Sequence, residues 1–221
     1  MNDKKVLTKD LFDVEIDYLK PYFEETTYPW ELLPRIKEII ANVLKTGLEG
    51  YHLLKEGVLV GEGVTIAETA TIIPPAIIGP NTEIRPGAYL RGNVIVGPKC
   101  VLGNSSEFKN CILLEHVQCP HYNYVGDSVL GNYAHTGAGT ICSNLKSDGK
   151  NIVIHGNEDI ESGLRKIGAI LADHADIGCG SVLNPGTVVG KNTQMYPLTM
   201  ARGVYPENSI VKRTRECVDK R

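Results

Sequence analysis

The 221-residue chain has no Cys-X-X-Cys pair, no long apolar run and no excess of basic charge. Its six cysteines, Cys100, Cys111, Cys119, Cys142, Cys179 and Cys217, are scattered singly, which argues against a zinc knot or redox dithiol and for free thiols in a reducing compartment. The aliphatic stretches fall far short of the roughly 20 residues a membrane span needs. The first residues, MNDKKVLTKD, lack the apolar core of a signal peptide, so no membrane partner and a cytoplasmic location are expected. A net charge of −3 argues against nucleic acid as a partner. The 42% hydrophobic content is that of an ordinary globular protein.

What the chain does contain is a period of six. From Val60 to Leu114 an aliphatic or aromatic residue returns at every sixth position: Val60, Ile66, Ile72, Ile78, Ile84, Leu90, Val96, Leu102, Phe108, Leu114. Four places after each rung stands a small or β-branched residue, such as Ala70, Ala76, Thr82, Ala88 or Ser106. Gly, Pro and Asn crowd the positions between, where the backbone must bend. Six is neither the helical period nor a heptad. It is the hexapeptide repeat of a parallel β-helix, an all-β solenoid in which each hexad is a short strand and a turn, and stacked coils bury the rungs as columns.

The repeat sets the domain plan. Residues 1–50 lack it and read as helical: Thr8 caps a short helix that ends near Pro21, and Pro34 opens a second with the stripe Ile36, Ile39, Ile40, Val43 and Leu44, stopped by Gly47. This segment is expected to cap the open end of the solenoid. Residues 51–205 form the β-helix, whose register slips after Leu114. The polar residues 145–166 carry no repeat and loop out. The period returns at Leu171, Ile177, Leu183, Val189 and Met195. Residues 206–221 read as a charged tail or a short helix.

The residues able to do acid–base or anion work concentrate between Arg85 and Lys150, in the least regular coils: Arg85, Glu107, Lys109, His116, His121, Tyr124, His135, Asn144 and Lys150. Binding groups gather on irregular segments held by a rigid frame. Taken singly, a Lys or Arg on such a face is ordinary solvated charge, and a His an ordinary surface donor.

Four strings in order, IRPGAYL (84–90), GNSSEFKN (103–110), PHYNYVGDSVLG (120–131) and GAGTICSN (137–144), resemble the left-handed β-helix acetyltransferase domain of the N-acetylglucosamine-1-phosphate uridyltransferase/glucosamine-1-phosphate acetyltransferase family. SGLRKIGAILADHADIG (162–178) is similar to its archaeal sugar-1-phosphate branch. The resemblance covers about residues 58–205, and neither a counterpart of the family's nucleotidyltransferase domain nor uridylyl transfer is expected. It implies acetyl-CoA as co-substrate, an amino sugar phosphate as acceptor, a homotrimer and no metal. It implies His121 as general base, a role suited to an imidazole near neutral pH. It implies Arg85 and Lys109 as phosphate cations, and Tyr124, Asn144, Glu107 and Lys150 as acceptor contacts. Ala138 falls where the thioester passes. Four positions depart from the family: His135 replaces an asparagine at an acceptor position, Leu145 a tyrosine, Cys179 a serine near the pantetheine, and Pro197 a small residue of the same groove.

Two other readings come from different classes. His116 and His121, five apart, have a spacing reminiscent of the γ-class carbonic anhydrases, which use the same fold and three zinc-binding histidines; of the other histidines only His52 precedes them. A catalytically silent sugar-nucleotide-binding or assembly module is the second.

Overall fold

The computed structural model describes residues 5–212 and the backbone of 213 and 216–219. The chain winds into a left-handed parallel β-helix with three flat faces. The first face is a nine-stranded sheet running from Tyr51–Lys55 to Val204–Tyr205, and the second a nine-stranded sheet from Thr65–Ile66 to Glu216–Asp219. The third has seven strands, from Thr71–Ile73 to Met200–Ala201. Strands of successive coils pair in parallel, as in Ala76–Ile78 with Val94–Val96.

The rungs are inside: Val60, Ile72, Ile78, Ile84, Leu90, Val96, Leu102 and Phe108 all lie in one core column set. Leu114 does not. One coil is a residue short, so Leu113 takes the inward position and Leu114 points out against the helical segment. The register slip therefore falls one hexad earlier than the sequence period places it. Corners of the coils need left-handed backbone, and the first–second corner is built by Asn81, Lys99, His116, Tyr133, His174 and Asn192 with φ of 57–59°. After glycine, Asn tolerates that conformation best, which explains its place in the repeat.

The helical segment differs most from expectation. Its elements are Thr8–Leu11, Lys20–Glu24, a 3-10 turn Pro29–Arg35 and the helix Ile36–Thr46. Pro21 begins the second helix rather than ending the first, because proline fits a first turn. Pro34 lies within the 3-10 turn. Ile36, Ile39, Ile40 and Val43 are buried as the stripe predicts, and Gly47 closes the helix at φ 71° with its N–H on the Val43 carbonyl.

These helices do not cap the solenoid's end. They lie along its first face, on a second column of outward aliphatics: Leu59, Ile77, Ile95, Ile112, Val129, Ile170 and Val188. A sheet face of that composition must be covered, and burying one such side chain contributes about 1.5–3 kcal/mol. Asp173 fastens the cover, one carboxylate oxygen accepting the Asp13 N–H (2.8 Å) and the other the Asn132 N–H (2.7 Å).

The insert is also more ordered than a loop. Val153–His155 and Asp159–Glu161 form an antiparallel hairpin, with Ile152, Ile154 and Ile167 buried on the same flank as the helices. At the far end Ser209–Arg213 and Glu216–Asp219 pair antiparallel and extend the second face, in place of a tail or helix. No helix among the described residues is long and apolar enough to cross a membrane.

Candidate functional site

Stacking turns sequence positions 17 or more residues apart into neighbours. At the second–third corner, His121 stacks on Asn104, Ala138 on His121, Cys179 on Ala138 and Pro197 on Cys179. Backbone bonds fix that order: Tyr122 N–H to the Asn104 carbonyl at 2.8 Å, Gly139 to His121 at 3.0 Å, Gly180 to Ala138 at 2.8 Å and Leu198 to Cys179 at 2.9 Å. The candidate base and the three candidate cofactor positions thus form one edge. His121 is exposed, and Asn123 pins its loop by accepting the His121 N–H at 3.2 Å. Beside the edge, Gly137 permits close stacking: a Cβ there would lie 2.6 Å from the Cys179 nitrogen.

A second group assembles at the far margin of the third face. Lys109 Nζ donates to both oxygens of Asp127, at 2.9 and 3.1 Å. Asn144 donates to the same carboxylate and to the Tyr124 hydroxyl (3.2 Å). Burial, then the charges of Glu107 and Asp127, push the Tyr124 phenol above its ordinary pKa, so it remains a hydroxyl at neutral pH. Lys109, Tyr124 and Asn144 are brought together, and Asp127 and Asn110, which sequence reading left out, hold them. Their signal was a left-handed corner repeated in three successive coils, Asn93, Asn110 and Asp127.

The other candidates stand apart. Arg85 pairs with Glu83 at 3.0 Å on the second face. It lies two coils from His121, about 10 Å along the axis at the spacing of stacked strands. Glu107 faces Arg91 in a short ion pair rather than Lys109. His135 Nδ1 is 2.8 Å from Asp176 Oδ1 on the second face. Lys150 sits in the turn of the insert, its N–H on Asp148. His121 and Lys109 occupy opposite margins of the third face within one chain.

His116 is on a different corner from His121, its ring stacked on Tyr133 (4.4 Å), which in turn stacks on His174 (4.9 Å). The five-residue spacing thus places the two histidines on separate edges. Around the His121 edge several large apolar side chains are exposed, among them Tyr122, Ile141, Tyr196, Leu198 and Met200.

The fold and this edge define a hexapeptide-repeat β-helix protein. A family model described as the GMPPB C-terminal domain matches residues 72–164. The "Bifunctional protein GlmU" of Methanococcus aeolicus is 34% identical over 206 residues, covering 91% of this chain and 50% of that protein. The protein of the same description from Methanocaldococcus jannaschii is 36% identical over 177 residues, 79% and 43% of the two chains. A solved structure of an AntD mutant, an N-acyltransferase from Bacillus cereus in complex with dTDP and coenzyme A, aligns with TM-score 0.42 and 21% identity over 78% of this chain and 92% of that one. The chain spans about half the length of the GlmU relatives it matches. Fold and relatives together fit the hexapeptide-repeat acetyltransferase domain of the GlmU family.

Proposed function

We propose that the chain is an acetyl-CoA-dependent N-acetyltransferase acting on an amino sugar phosphate such as glucosamine 1-phosphate, in the chemistry that leads to UDP-N-acetylglucosamine. The observation that carries this reading is the His121 edge: an exposed imidazole continued by Ala138, Cys179 and Pro197, an uncharged track along which an acyl carrier can lie. The GlmU relatives named above support it.

The chemistry follows. The sugar ammonium first loses a proton to solvent. The free amine then attacks the thioester carbonyl, the C–N bond forms and the C–S bond breaks. His121 takes the second proton from the attacking nitrogen and passes it to the departing thiolate, while backbone N–H groups stabilise the oxyanion. Lys109, Tyr124 and Asn144 hold the phosphate-bearing sugar, with Arg85 a second cation for the phosphate. Since His121 and Lys109 occupy opposite margins of one face, a complete site needs two protomers. The exposed Tyr122, Tyr196, Leu198 and Met200 supply the apolar surface that a homotrimer would cover.

One feature favours the silent binding or assembly module: Arg85 is already occupied by Glu83. Thiol release from acetyl-CoA, measured with glucosamine 1-phosphate, galactosamine 1-phosphate and the unphosphorylated sugars, separates the readings. Release driven by a phosphorylated amino sugar supports the enzyme; binding of those sugars without release supports the module.

A further inference from the structure

Asp127 is the least exposed charged group near the acceptor cluster, its side chain only 6% accessible. Its backbone is held in left-handed conformation (φ 47°) by the coils on either side, its N–H on the Lys109 carbonyl and its carbonyl receiving the Gly168 N–H. The carboxylate receives Lys109 Nζ, Asn144 Nδ2 and, at 3.0 Å, Asn110 Nδ2. Such saturation leaves it no direction in which to swing.

Asn110 has a second partner. The same amide nitrogen donates to the Leu33 carbonyl at 3.3 Å, and Leu33 belongs to the 3-10 turn of the N-terminal segment. The amide therefore bridges the helical cover and the acceptor cluster. Between them lies a cavity of about 440 Å³ lined by Leu33, Pro34, Asn110, Asp127, Leu145 and Lys166. Three parts of the chain that are remote in sequence, the helical cover, the third–first corner and the insert, meet there.

We propose that Asn110 and Asp127 are positioning residues through which the docked helical segment sets the orientation of Lys109 and Asn144 toward the acceptor. This rests on the reading of those two side chains as acceptor contacts. A lysine ammonium on a four-carbon stem has no fixed direction of its own, and an Asn amide can present either end. Asp127 decides both, and Asn110 ties Asp127 to the segment. The acetyl-CoA edge lies at the other margin of the face, so the acceptor alone depends on this relay.

Asn110→Gly tests it, because glycine keeps the left-handed corner and removes only the amide. Small displacements of positioning groups are costly in rate or affinity, so the KM for the acceptor should rise about tenfold while the KM for acetyl-CoA holds. Asp127→Asn, which turns a donor toward Asn144, should raise the acceptor KM further. Asn93→Gly, at the same corner one coil earlier, should match wild type. An unchanged acceptor KM in Asn110→Gly, or an equal rise in both KM values, overturns the proposal and leaves the acceptor reading standing. Absence of turnover by wild type with every amino sugar phosphate overturns both.

Discussion

His121 and Cys179 stand two coils apart on one corner, with Ala138 between them and a backbone bond from each coil to the next. The edge is therefore continuous, and the size and reactivity of its side chains can be altered one at a time.

Ala138→Leu fills the middle of that edge. Overfilling a fitted site costs about 1–3 kcal/mol, so the KM for acetyl-CoA should rise about tenfold or more with the acceptor KM unchanged. Steady-state thiol release at varied acetyl-CoA checks this.

Cys179 is the exposed thiol among the described cysteines; Cys100, Cys111, Cys119 and Cys142 are buried. Burial pushes all four up in pKa, Cys119 and Cys142 to about 12, so none offers thiolate at neutral pH. Iodoacetamide should alkylate Cys179 before any of these four, and coenzyme A should slow that alkylation. Mass spectrometry of timed digests reads both effects.

Ile95 lies wholly buried between the first face and the helices. Ile95→Ala should cost about 2–5 kcal/mol of stability, whereas Leu53→Ala, at a residue 59% exposed, should fall within about 0.5 kcal/mol of wild type. Denaturant unfolding compares the two. Equal losses would mean the helices do not cover this face.

Asp173 gives a pH signature. Burial raises its pKa above the usual carboxylate value, although the Asp13 and Asn132 N–H groups and Lys191 pull it down. The folded state then holds more protons between the unfolded and folded pKa values, so the stability contributed by Asp173 is full below the unfolded pKa and declines as pH rises through the folded one. Asp173→Asn removes that dependence and an acceptor for one N–H. The difference in Tm between wild type and variant should therefore be larger near about pH 4 than at neutral pH.

The solenoid was legible because its inward residues repeat locally, and one strand and turn reveals the next. Leu114 escaped because a coil shortened by one residue moves the inward position to Leu113. The helical cover was misplaced because its docking column, Leu59, Ile77, Ile95 and Ile112, recurs once per whole coil and is masked by the faster six-residue beat. The family strings offer His121, Ala138 and Cys179 only as candidates, and stacking puts them on one edge. Asp127 was passed over because its importance lies in three donors that converge only when Lys109, Asn110 and Asn144 are folded together.

The most direct test of the account is the rate of thiol release from acetyl-CoA by wild type and by His121→Ala, with the best amino sugar phosphate at saturation. Loss of a general base should lower that rate by about 10²-fold or more. Equal rates for the two proteins would contradict it.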